Sequence, residues 1–133
     1  MKITIDFIPH LEQRYNTCGD WVFDQNGDLS IHVSDTSDTD YRFSHLVAIH
    51  ELIEALLCLE QGVTTQEVDA FDHDSLQKHP DLEPGDRPLA PYYNEHQIAT
   101  GVERILAQHI GVMWLAYENE LAELTEEYDA AHE

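Results

Sequence analysis

The stretch that decides the fold is LVAIHELIEALLCLEQG, Leu46 to Gly62. Of the fourteen residues from Leu46 to Leu59, eleven are apolar, and the exceptions are His50, Glu51 and Glu54. The stretch reads as one helix, with Ser44 as its N-cap and Gly62 as its stop. At about 100° per residue, His50 and Glu54 share a face one turn apart, while Glu51 lies on the flank of that face. The rest of the circumference is Leu, Ile, Val, Ala and Cys, so the helix has no broad solvated side. A buried ionised carboxylate is costly unless it is paired or bound to a metal. Two of them beside an imidazole call for a shared cation. The competing reading is a wet notch in an ordinary core helix, or a salt bridge from Arg14, Arg42, Arg87 or Arg104.

Upstream, KITIDFI (2–8) alternates as a strand, with Ile3, Ile5 and Phe7 on one side and Pro9 as its end. DWVFDQNGDLSIHVSD follows as a hairpin, with arms at Trp21–Phe23 and Leu29–Val33 and an Asn-Gly pair suited to a tight turn. Downstream, Thr64 and Glu67 have the spacing of a capping box and open a short second helix. Residues 72–91 hold four prolines and a glycine, and the composition predicts an irregular loop of the length used for lids and binding segments. YYNEHQIATGVERILAQHIG predicts a third helix, with its apolar face centred on Ile98, Val102 and Leu106 and Gly111 as its break. VMWLAYENELAELTEEY predicts a fourth. Strands first and helices afterwards argue for an α+β fold in one domain, 1–133.

The chain carries 27 acidic and 6 basic residues, a net charge of -21. That balance excludes binding nucleic acid through its phosphates and adhesion to anionic membranes. It suits a bound cation, a basic protein partner or plain solubility. No segment has the length and apolarity of a membrane span. The two cysteines, Cys18 and Cys58, are no disulfide framework. A cytoplasmic location is the default expectation.

The motif HELIE resembles the HExxH helix of zincin metallopeptidases, with Glu54 in the place of the second histidine, an HExxE variant. A hairpin ahead of that helix is also zincin-like, since the preceding edge strand in that family holds the peptide substrate. HELIEALLC with the later EHQIATGVERILA also resembles small uncharacterised proteins of phage-type genomes. The zincin resemblance covers about the first sixty residues. It implies a zincin-like core and a metal-dependent, peptidase-like hydrolase acting on a peptide or small-molecule substrate. In it, His50 and Glu54 would be metal ligands and Glu51 the general base that takes a proton from water.

A third ligand has to come from elsewhere, and His96 is the first choice. His96, Thr100 and Glu103 fall on one stripe of the third helix, facing either a packed helix or water. His50, Glu54 and His96 would make a two-His, one-carboxylate set for one divalent ion, zinc first and Mn or Fe as alternatives. Glu103 would then orient His96 or add to the shell. Asp72 is a further candidate ligand. Tyr92 and Tyr93 stand where a hydroxyl can stabilise an oxyanion or a ring can pack. Two other readings compete: a non-catalytic acidic interaction protein on a basic partner, with a structural metal or none, and a two-metal helical site built from Glu51, Glu54, Glu103 and His96.

Overall fold

The computed structural model describes all 133 residues. Three strands are followed by four helices, an α+β architecture. The strands are β1 (Ile3–Ile8), β2 (Gly19–Phe23) and β3 (Leu29–Ser34), in sheet order β1-β3-β2. β2 and β3 form the antiparallel hairpin, and β1 pairs parallel to β3 on the other side. The hairpin loop is Gln25-Asn26-Gly27 between Asp24 and Asp28, which pair with each other. Gly27 alone takes a positive φ, of 79°. The Asn-Gly pair therefore does not form a two-residue turn. The carboxylate of Asp24 accepts from Asn26 and Asp28 and holds a longer loop instead.

Helix α1 (Tyr41–Gln61) starts three residues ahead of the expected N-cap. Asp40 is the cap, and its side chain accepts from the Arg42 amide. Ser44 instead ties the end of β3 to the first turn of α1. Its hydroxyl accepts from Thr36 N at 2.7 Å and donates to Ser34 O at 2.9 Å. Gly62, at φ 73°, ends the helix as its spacing predicts. α2 (Thr65–Lys78) begins at the Thr64 cap, with Glu67 N bonded to Thr64 Oγ1.

α2 also corrects the expected loop at 72–91. The helix runs on to Lys78, and only residues 79–92 are irregular, with a short 3-10 turn at Pro84–Asp86. The polar composition of DHDSLQK suggests a loop because its buried partners lie far away in sequence. Asp72 accepts from the hydroxyls of Tyr15 and Tyr92, and Ser75 from Arg87, so a polar helix face is buried with its hydrogen bonds made.

The core lies between the sheet and α1. Trp21, Leu29, Ile31 and Val33 face Phe43, Leu46, Val47, Ala55 and Cys58, and Val68, Ala107 and Tyr117 close the sides. α3 (Tyr93–His109) lies along α1, and α4 (Trp114–Ala131) returns towards the 10–16 segment, where Asn16 Nδ2 donates to Thr125 O. The buried face of α3 is only partly the apolar stripe expected from sequence: Leu106 packs against the core and Val102 is half-buried. Glu95, His96, Ala99, Glu103 and Ala107 point inward, while Ile98 and Ile105 are exposed. The polar side of α3 turns in because α1 offers His50 and Glu54 there. No helix is long and apolar enough to cross a membrane.

Candidate metal centre

α1 and α3 run antiparallel, since His50 meets Glu103 and Glu54 meets His96. Between them, His50 Nε2, Glu54 Oε2 and His96 Nδ1 converge. The separations are 3.0 Å from His50 to Glu54, 2.8 Å from His96 to Glu54 and 3.2 Å between the two nitrogens. All three residues are buried, and they are the group of potential metal ligands that the fold brings within reach of one ion. Donor atoms about 2.0–2.1 Å from a tetrahedral ion stand about 3.3 Å apart, so the triangle is close to one face of such a site. Imidazole and carboxylate donors suit zinc, and Mn or Fe as well.

The outer nitrogens decide the electronics. His50 Nδ1 lies 2.7 Å from Glu103 Oε1, and His96 Nε2 lies 3.2 Å from Asp86 Oδ1. Ionised carboxylates only accept, so the outer nitrogens carry the hydrogens. In the neutral imidazoles the inner nitrogens then present lone pairs to each other and to Glu54. Three lone pairs aimed at one point repel unless a proton or a metal ion sits among them. The other oxygen of Glu54, Oε1, accepts from Trp21 Nε1 at 2.9 Å, which leaves a single oxygen for the centre.

The ionisation pattern follows from this crowding. Burial works to lower the pKa of His50, but hydrogen bonds to Glu103 and Glu54 outweigh it and hold the group well above the usual imidazole range. His96 is likewise raised to about 10, burial being overcome by Asp86 and Glu54. Burial works to raise Glu54, yet its bonds to both histidines bring it down to about 2. The surrounding carboxylates thus favour the protonated form of both imidazoles, and the imidazoles favour the ionised form of Glu54.

Glu51 is different. It is buried beside this triangle, makes no side-chain hydrogen bond or ion pair, and its pKa is raised by burial and then by the charge of Glu54. Its carboxylate packs against the backbone of Gly19 so closely that a Cβ there would collide with it. A cavity of about 30 Å³ adjoins Glu51, Glu54, His96, Asp72 and Tyr92, room for about one water. On the other side, a cleft of about 410 Å³ reaches His50, Glu51 and His96 from the surface, past Thr100 and Arg104 of α3 and Trp114 of α4.

Two of the candidates sit elsewhere than expected. Glu103 orients His50, not His96, and Asp86 takes the expected role at His96. Asp72 lines the small cavity but stays out of the ligand triangle. Its two oxygens are occupied by the hydroxyls of Tyr15, at 2.9 Å, and Tyr92, at 2.5 Å, and burial pushes its pKa up to about 7. Tyr92 is thereby committed to Asp72, and Tyr93 packs against the core. The four side chains of the two-metal reading do not surround one point, since Glu103 sits behind His50 and Glu51 is unpaired.

Four contributors lie outside the sequence expectations: Asp86, Trp21 and two glycines. Gly85, in the 3-10 turn, leaves the space that the His96 ring fills, as Gly19 does for Glu51. Comparison of the chain with protein-family models, with curated proteins and with solved structures found no match in any of the three.

Proposed function

We propose that the protein is a small metal-dependent hydrolase, peptidase-like in mechanism, that binds one divalent ion, zinc by preference, through His50, Glu54 and His96. The observation that carries this reading is the convergence of three donor atoms within 3.2 Å, each histidine backed by its own carboxylate, beside an unpaired buried carboxylate. A divalent ion held there supplies a Lewis acid that polarises a carbonyl and makes water more acidic.

The chain's own residues supply the rest. Glu103 and Asp86 fix the ring orientation and tautomer of the two histidines. Trp21 fixes Glu54. Glu51, raised in pKa and without a competing partner, is placed to take a proton from water as its oxygen adds to the substrate carbonyl carbon, and to hand that proton to the leaving group. Gly19 at the start of β2 borders Glu51, so an extended peptide along that strand would pass the base. The open cleft has the volume of a short peptide or small molecule.

Elemental analysis of protein prepared without added metal tests the ligand set. One equivalent of zinc is expected in the wild type and none in His50→Ala, and metal-free wild type would sink the proposal. Glu51→Gln separates enzyme from binder: it should keep the metal and lose on the order of 10²-fold or more in turnover of a peptide library. A wild type that cleaves nothing with Zn, Mn or Fe restored would leave a metal-binding protein without hydrolase activity.

A further inference from the structure

The cleft over the candidate metal centre does not end there. A groove of about 560 Å³ opens between residues 80–84, the 15–18 segment and the second half of α4. Thr17, Cys18, Glu83 and Leu121 border both this groove and the cleft of about 410 Å³, so the two spaces meet beside Glu51 and His96. The pair is polarised. Arg104, its guanidinium 4.5 Å from the centroid of the Trp114 ring, stands on the cleft side. None of the six Lys and Arg residues of the chain lines the groove.

The groove combines two kinds of surface. Leu76, Leu82 and Leu121 give it apolar walls, and Asp81, Glu83, Glu126 and Asp129 stand among them. None of these carboxylates has an ion-pair partner. Glu83 accepts only from the Gly85 amide of its own turn, at 3.5 Å, and Asp129 only from Asn16. Where the groove meets the cleft, Glu51 is a further carboxylate without a partner, and it is only 9% exposed. Like charges gathered without a counter-charge repel, and a complementary cation relieves them. A metal ion does not fit that need in the groove, because the acidic and imidazole donors close enough to share one ion are those of His50, Glu54 and His96. A Lys or Arg side chain does, since its aliphatic stem lies along apolar walls while its charged head reaches carboxylates.

We infer that the groove is a subsite for the Lys or Arg side chains of a peptide substrate whose backbone continues into the cleft. This rests on the hydrolase reading above and narrows its substrate class to basic peptides. Glu83, at the junction of the two spaces, is the specificity-determining carboxylate nearest the reacting bond. Asp81, Glu126 and Asp129 hold cationic side chains further along. The groove lies to one side of the metal centre and Arg104 to the other, so the basic residues of the substrate fall on one side of the bond that is cut.

Two measurements on the full chain test this, and only the second needs turnover. In the first, fluorescence anisotropy follows a labelled peptide of alternating Arg and Ala, with its Gln-for-Arg counterpart as reference. The Arg peptide should bind wild type, and Asp81→Asn with Glu126→Gln should weaken it by about 10-fold. Asp6→Asn with Glu60→Gln removes the same charge from exposed positions off the groove and should change binding far less. Equal weakening by both pairs would reduce the effect to bulk charge and overturn the inference. In the second, the zinc-loaded chain cuts a peptide library and the products are sequenced by mass spectrometry. Lys and Arg should be enriched on one side of the cut bond, and Glu83→Gln should erase the enrichment. Cleavage with no such preference overturns the subsite and leaves the hydrolase standing. Groove-dependent binding with no cleavage keeps the cation site and removes the hydrolase.

Discussion

His50 and Glu103, on different helices, are joined by a 2.7 Å hydrogen bond from Nδ1 to Oε1, and that bond turns the other ring nitrogen towards Glu54 and His96. The proposed metal site would depend on this outer contact as well as on its ligands. Glu103→Ala should therefore leave the helices in place but lower zinc affinity by about 10–100-fold, as loss of an orienting carboxylate does. A chelator-competition titration measures it. An unchanged affinity would mean that the ring is held by packing alone.

The two close-packed glycines should separate binding from chemistry. Gly85→Ala pushes a methyl group into the His96 ring and should cost metal retention. Gly19→Ala pushes against Glu51 and should cost turnover while the metal stays bound. Metal content and peptide cleavage, measured on both variants, give the two readouts. If Gly19→Ala loses metal, Glu51 is a ligand and not the base.

Asp72 should leave a mark on stability. Its folded pKa of about 7 lies above the ordinary 3.8, chiefly through burial. The folded state therefore holds a proton that the unfolded chain releases, and stability from this group falls as pH rises from about 4 to about 7, by at most about 4 kcal/mol. Asp72→Asn removes that slope. Denaturant melts of wild type and variant from pH 4 to 8 should diverge in this sense, and parallel curves would show that Asp72 is ionised throughout.

Chelation gives a fourth check. An ion bound only by the native state stabilises it by mass action, about 4 kcal/mol at free metal 1,000-fold above Kd. Stripping the metal should lower the melting temperature, and restoring zinc should recover it. His96→Ala should show neither response.

Much of the geometry of the candidate site is legible in the sequence because it is local. His50, Glu51 and Glu54 lie within five residues, and helical geometry alone separates the shared face from the flank. His96, expected as a third donor, is brought by α3 to Glu54 and His50. Sequence spacing misleads where partners are distant along the chain. It pairs Glu103 with His96, seven residues away on its own helix, but the antiparallel packing carries Glu103 to His50 on α1. Asp86 sits in an irregular segment, and only the turn around Gly85 brings it to His96. Composition cuts α2 short at Asp72 because the hydroxyls that satisfy this residue belong to Tyr15 and Tyr92. Of the apolar face expected on α3, Leu106 packs against the core but Ile98 is exposed, because His96 and Glu103 turn towards the polar groups of α1.

The placement of β1 has a consequence for how the chain comes together. β2 and β3 are joined by a short loop and can pair on the hairpin timescale of about 1–10 μs. β1 pairs parallel to β3, so the chain must first travel across the sheet and back, and that closure is non-local. β1 is thus expected to dock late in folding and to detach first when the molecule breathes. Its amides should lose hydrogen-exchange protection ahead of those in the hairpin and α1.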